Sequence, residues 1–193
     1  MERGQDTDAD PTVIMVIRHG EKPNGESQEF GMQYSGEHDP HSLSVRGWSR
    51  AGALVGLFCP AQGPPRAGLA RPEVVYASGH ASDGSHRPVQ TVTELAEATG
   101  TDLHTHISAG AEADLVHELD GRPGPTLVAW QHEAIPDIAR ELNRIAPVDP
   151  APPEAWDPSR FDLVWTFTRT ADGWAFAQVP QLLLDGDSAE PID

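Results

Sequence analysis

Two stretches of the chain are apolar almost without interruption, and both stop abruptly at polar residues. Val13-Ile14-Met15-Val16-Ile17 runs into Arg18-His19-Gly20-Glu21, and Thr126-Leu127-Val128-Ala129-Trp130 runs into Gln131-His132-Glu133. Apolar runs of this length are short for a helix and read as strands buried on both faces. Elsewhere the period is helical. Val45, Trp48, Ala51, Leu54, Val55 and Phe58 recur behind Ser44, a capping residue, and predict a helix over 45–58 with these residues toward the core. Val89, Val92, Leu95 and Ala96 predict a second helix that starts near Pro88 and ends at Gly100. A short helix is expected over 112–119, and another over 136–145 with Ile138, Leu142 and Ile145 on one face. Further strands are expected at 74–77 and 102–106, and a hairpin from 161–168 and 174–179 around Asp172-Gly173. Residues 24–42, 59–72, 78–85 and 146–160 are rich in Gly, Pro, Ser or His and read as loops.

Strands alternating with helices predict an α/β fold, a three-layer α/β/α sandwich with a mostly parallel central sheet, to which the hairpin adds an antiparallel edge. Trp48, Trp130 and Trp165 fall on core elements of this scheme. Residues 1–11 read as a flexible tail before a single domain over 12–193, a length that suffices for a sizeable core.

Composition narrows the function. Hydrophobic residues make up 38% and charged residues 22%, the mixture of a folded chain rather than a disordered one. Thirteen Lys and Arg stand against 30 Asp and Glu, a net charge of -17. Nucleic acid and anionic membranes both require cationic surface, so neither is an expected partner. Any anion site must instead be a local cationic pocket inside a repelling field. Cys59 is the single cysteine, so no intrachain disulfide is expected. Residues 1–10 lack the cationic start and apolar stretch of a secretory leader, and no segment approaches the length of a membrane span. The expected location is cytoplasmic.

Open α/β sheets bind ligands at the carboxyl ends of their strands. Both buried strands deliver a histidine there, His19 and His132, and the first also delivers Arg18. A third cation, Arg87, stands where the second helix begins, and helix amino ends attract anions. Guanidinium groups match phosphate oxygens in planar, bidentate fashion. Two histidines and two arginines at one sheet edge suit a dianionic phosphoryl group.

Four segments resemble the histidine phosphatase superfamily, also called phosphoglycerate mutase-like. Arg18-His19-Gly20-Glu21 matches its first motif. Leu43-Ser44-Val45-Arg46-Gly47-Trp48-Ser49-Arg50-Ala51 resembles its Leu-Thr-x-x-Gly-x-x-Arg-Ala helix start. Tyr76-Ala77-Ser78 followed by Arg87-Pro88-Val89-Gln90-Thr91 resembles its Ser-Pro-x-x-Arg-Ala-x-Gln-Thr segment, and Val128-Ala129-Trp130-Gln131-His132 the strand before its second histidine. The resemblance implies that His19 is a nucleophile that accepts the phosphoryl group as phosphohistidine. It implies that Arg18, Arg87 and His132 hold the phosphoryl oxygens, with no metal and no cofactor. It also implies hydrolysis of a phosphomonoester on a small molecule. The alternatives are a phosphohistidine or phosphoprotein phosphatase and a non-catalytic phospholigand-binding module. The interval 88–131 lacks the larger insertion of the mutases.

Gly79 replaces the family's proline, the loop 79–86 is enlarged, and Pro88 replaces an alanine; His86 is the alternative cation to Arg87. The general acid stays open between Glu133, directly after the second histidine, and Glu112. Glu133 fits that role if burial raises its pKa; otherwise it is a helix-start acid. Lys22 and Asn24 lie on the loop after His19 and are candidate substrate contacts. His38, His41, His80, His104 and His106 form no recognised metal-ligand spacing. The loops 24–42, 79–86 and 146–160 are where specificity is expected to reside.

Overall fold

The computed structural model describes residues 12–23, 30–79 and 84–193; the expected tail at 1–11 lies outside them. Strand β1 (Val13–Arg18) precedes helix α1 (Val45–Phe58), β2 (Val74–Ala77) and α2 (Arg87–Thr99). Then follow β3 (Leu103–His104), α3 (Glu112–Asp120), β4 (Pro125–Trp130), α4 (Ile135–Ile145), β5 (Val148–Asp149), β6 (Leu163–Arg169) and β7 (Trp174–Pro180). The seven strands form one sheet in the order β3-β2-β4-β1-β6-β7-β5. Strands β3, β2, β4 and β1 are parallel, and β6 and β7 return antiparallel beside β1. The expected α/β sheet is therefore present, with one correction. The hairpin is not its edge: β5 pairs parallel with β7 and forms the outer strand. A two-residue strand inside a proline-rich loop carries no alternation from which it could be read.

Two apolar layers cover the sheet. On one side Met15 and Ile17, Val75 and Ala77, and Leu127 and Ala129 pack against Leu54 and Phe58 of α1 and Val92 and Leu95 of α2. On the other, Ile14, Val16, Val128 and Trp130 meet Leu115 and Leu119 of α3 and Ile138 and Leu142 of α4. Strands β1 and β4 are thus buried on both faces, which explains their uninterrupted apolar runs. Ser44 caps α1 by accepting the Gly47 amide at 3.1 Å. Gly100 ends α2 in the left-handed region, φ 69°, where a side chain would strain the backbone.

Three expectations fail at the ends of elements. Val45 and Ile145 are 58% and 43% exposed; each is the terminal residue of its helix. The expected strand 102–106 shortens to Leu103–His104, paired only with β2. Trp48 is half-buried, its indole donating to the Met32 carbonyl at 2.8 Å, whereas Trp156 and Trp174 join the core.

Candidate active site

The loop that leaves β1 is fixed at several points. The His19 amide donates to the Trp130 carbonyl at 3.0 Å, extending the ladder one residue past β1. The Gly20 amide donates to Thr91 Oγ1 at 2.8 Å, and that hydroxyl donates to the Arg87 carbonyl at 2.7 Å, tying the loop to the first turn of α2. The Glu21 carbonyl accepts the Ser44 amide at 2.9 Å. A Cβ on Gly47 would lie 2.4 Å from that Glu21 oxygen, and one on Gly20 would lie 3.0 Å from the Gly47 oxygen. Both glycines are needed for this close approach of loop and helix.

His19 is buried, and its Nδ1 lies 2.7 Å from the Gly20 carbonyl. A carbonyl only accepts, so Nδ1 carries the hydrogen and the Nε2 lone pair is free. Burial depresses the His19 pKa to about 3, with the Arg18, Arg87 and His132 charges adding to it against the Gly20 bond. The ring is therefore neutral at physiological pH, the form required of a nucleophile.

Arg18 is buried beneath the loop that follows β5. Its Nη1 donates to the carbonyls of Pro158 and Arg160, and its guanidinium carbon stands 3.6 Å from the Phe161 ring centroid. Among the described residues Nε has no partner. Burial lowers its pKa to about 10, so it remains a cation at neutral pH. The 146–160 loop thus positions Arg18, a contact made through backbone carbonyls that leaves no signature in residue type. Arg87 Nη1 donates to the Pro40 carbonyl at 3.1 Å, and the Arg87 charge acts on both His19 and Arg18. His86 instead faces Asp39, Nε2 to Oδ2 at 3.8 Å.

The pKa of His132 is lowered by burial first and by Arg18 second, with Lys22 contributing. Its Nδ1 is 3.0 Å from Glu133 Oε2 but out of line for a hydrogen bond. Arg18, His19, Arg87, His132, Lys22 and Glu133 are therefore gathered within electrostatic reach of one another. Asn24 lies outside the described residues. The Glu133 side chain is 70% exposed, so the burial on which an acid role depends is absent. Glu112 is buried but accepts from the Trp130 indole at 2.9 Å and the Gly110 amide at 2.8 Å, joining α3 to β4.

Sequence reasoning assigned no role to Arg50. It is buried on the core side of α1 and reaches Glu21 Oε1 at 2.8 Å, Asp187 Oδ1 at 2.7 Å and Gln181 Oε1 at 2.9 Å. The readable signal was a cation inside an apolar helical stripe, between Gly47 and Leu54. Among the described residues, no cluster of three or more His, Cys, Asp or Glu is disposed to hold a metal ion, and no helix is long and apolar enough to cross a membrane.

No protein-family model matches the sequence, and no curated protein matches it. Solved structures do resemble it. The protein histidine phosphatase SixA complexed with tungstate aligns over 88% of this chain and 97% of its own, with a TM-score of 0.52 at 14% identity. A mycobacterial glucosyl-3-phosphoglycerate phosphatase aligns over 88% and 98%, with a TM-score of 0.53 at 14% identity. The ecdysone phosphate phosphatase of Bombix mori, also complexed with tungstate, aligns over 94% and 97%, with a TM-score of 0.54 at 14% identity. With its helices on both faces of a seven-stranded mixed sheet, the chain shares the fold of these three phosphatases.

Proposed function

We propose that this protein is a phosphatase that hydrolyses a phosphomonoester through a phosphohistidine on His19. The observation that carries the reading is the buried, neutral His19, held by Nδ1 on the Gly20 carbonyl with Nε2 free and two arginines beside it. Tungstate, an oxyanion, is bound in two structures of the same fold. In the first step Nε2 attacks phosphorus, the bond to the leaving oxygen breaks, and that oxygen departs with the electron pair. In the second, water attacks phosphorus, the P–N bond breaks, the pair returns to Nε2, and the water gives up a proton to solvent that balances the one the departed oxygen takes up. Arg18, Arg87 and His132 bind the phosphoryl oxygens and stabilise the charge that develops on them, so catalysis is chiefly positioning and electrostatics. Lys22 is exposed and its charge reaches His132, so it is the cation that would meet the rest of the substrate. Asn24 keeps its proposed contact on sequence grounds alone.

Glu133 is the acid candidate by position, yet its exposure favours substrates whose leaving group needs little protonation. An aryl phosphate or a phosphohistidine is of that kind, which keeps the phosphoprotein reading beside the small-molecule one. The test is turnover of a generic aryl phosphate by the wild type and by His19→Ala. Release by the wild type alone, with acid-labile and base-stable phosphate trapped on His19, is the expected result. Equal background from both proteins would leave a phospholigand-binding module instead.

A further inference from the structure

Strands β1 and β4 lie side by side and parallel, with Arg18 opposite Trp130. The His19 amide bond to the Trp130 carbonyl carries the pairing one step further, so His19 stands opposite Gln131. Side chains alternate across a sheet, and neighbouring strands are about 4.8 Å apart. Met15 and Ile17 of β1, and Leu127 and Ala129 of β4, all enter the layer formed with α1 and α2. The same alternation assigns His19 and Gln131 to that face, side by side, toward the helix that begins with Arg87.

Gln131 is anomalous there. Both its amide nitrogen and its amide oxygen are buried, and among the described residues neither has a hydrogen-bond partner. Its backbone is fixed independently, because its carbonyl accepts the amides of Ala134 and Ile135 at the start of α4. The side chain therefore does nothing visible for the scaffold. Burying a donor and an acceptor together without partners is destabilising, and a ligand that supplies both partners removes that cost. Arg18 Nε, on the adjacent strand end, is unsatisfied as well.

We infer that Gln131 is a catalytic residue that touches the phosphoryl group on His19. The inference rests on the phosphohistidine reading of the site. The side chains of Gln131 and His19 are of similar reach from neighbouring strands, which puts the amide level with the oxygens surrounding a phosphorus on Nε2. Gln131 Nε2 donates to one of these oxygens. Gln131 Oε1 accepts from the hydroxyl of a singly protonated phosphoryl group, a donor that sulfate lacks at neutral pH. Gln131 forms no bond to phosphorus and takes up no proton; it holds charge and orientation while the P–N bond forms and breaks.

The experiment is calorimetric titration of inorganic phosphate and of sulfate into the full chain, wild type and Gln131→Met, with thermal melts of each without ligand. Methionine keeps the length and removes both polar atoms. The expected result is an unchanged or higher Tm, since two unsatisfied groups are gone, together with a phosphate Kd raised about tenfold or more. Sulfate affinity should fall by less. An unchanged phosphate Kd would overturn the assignment. So would a lowered Tm in both Gln131→Met and Gln131→Leu, because that marks a structural role. An equal fall for sulfate would overturn the part given to the amide oxygen. If the wild type binds phosphate but hydrolyses no better than His19→Ala, the hydrolase reading fails while the titration still decides the contact made by Gln131.

Discussion

His19 makes its demands at the scale of one ring. Its pKa falls from 6.5 to about 3 on folding, mainly by burial. In the unfolded chain the ring takes up a proton as the pH drops through 6.5, whereas the folded ring does not. The unfolded state then binds more protons, so folding stability declines as the pH falls from about 6.5 toward 3 and is unaffected above that window. The expected contribution is of order 1–2 kcal/mol lost by about pH 5. Urea unfolding of wild type and His19→Gln at about pH 7.5 and 5 checks this by difference. The variant should lose less stability on acidification, and equal losses would place the ring in a more polar setting than the one described. The same depression keeps the proposed nucleophile unprotonated in mildly acidic solution.

At the scale of elements, the junction of the His19 loop with α1 sets the tightest constraint. Gly47→Ala places a methyl group 2.4 Å from the Glu21 carbonyl oxygen and 3.0 Å from the Glu21 amide nitrogen, both backbone atoms that cannot swing away. Loop and helix must separate, with an expected loss of about 1–3 kcal/mol and of turnover, since His19 is oriented by the neighbouring Gly20. Gly52→Ala in the same helix meets nothing within 4 Å and should stabilise by roughly 0.5–1 kcal/mol. Chemical denaturation of the two variants, with opposite signs expected, separates the close approach from helix propensity. Local order of this kind was legible in the sequence wherever cap and period agreed. Ser44 and the stripe from Ala51 to Phe58 located α1, and the apolar runs located β1 and β4. The reading weakened where pairing rather than pattern decides. The edge strand β3 stops after two residues because only β2 receives it, and β5 exists only because β7 lies alongside.

For the whole molecule, the question is how an end of the chain far removed in sequence comes to steady the site. Arg18, His19 and His132 were legible because they terminate buried strands. The support behind them was not, because it is assembled from residues more than a hundred positions apart. Arg50 joins Glu21, beside the proposed nucleophile, to Asp187 near the carboxyl end, and Asp187 also accepts the Leu183 and Leu184 amides. Burial alone would raise the pKa of Asp187, but the bonds from Arg50 and those two amides outweigh it and bring it down to about 2. Its stabilisation is therefore complete above the ordinary value of 3.8 and is lost as the pH falls toward 2. Removing one member of a buried charge network leaves the others uncompensated, a loss of about 3 kcal/mol at neutral pH for Asp187→Ala. Arg50→Met combined with Asp187→Ala should lose less than the sum of the two single variants, because the orphaned cation is gone as well. Denaturation of the four proteins completes the cycle. An Asp187→Ala variant as stable as the wild type would mean that Glu21 and Gln181 suffice for Arg50, and that Asp187 gives the His19 loop no support.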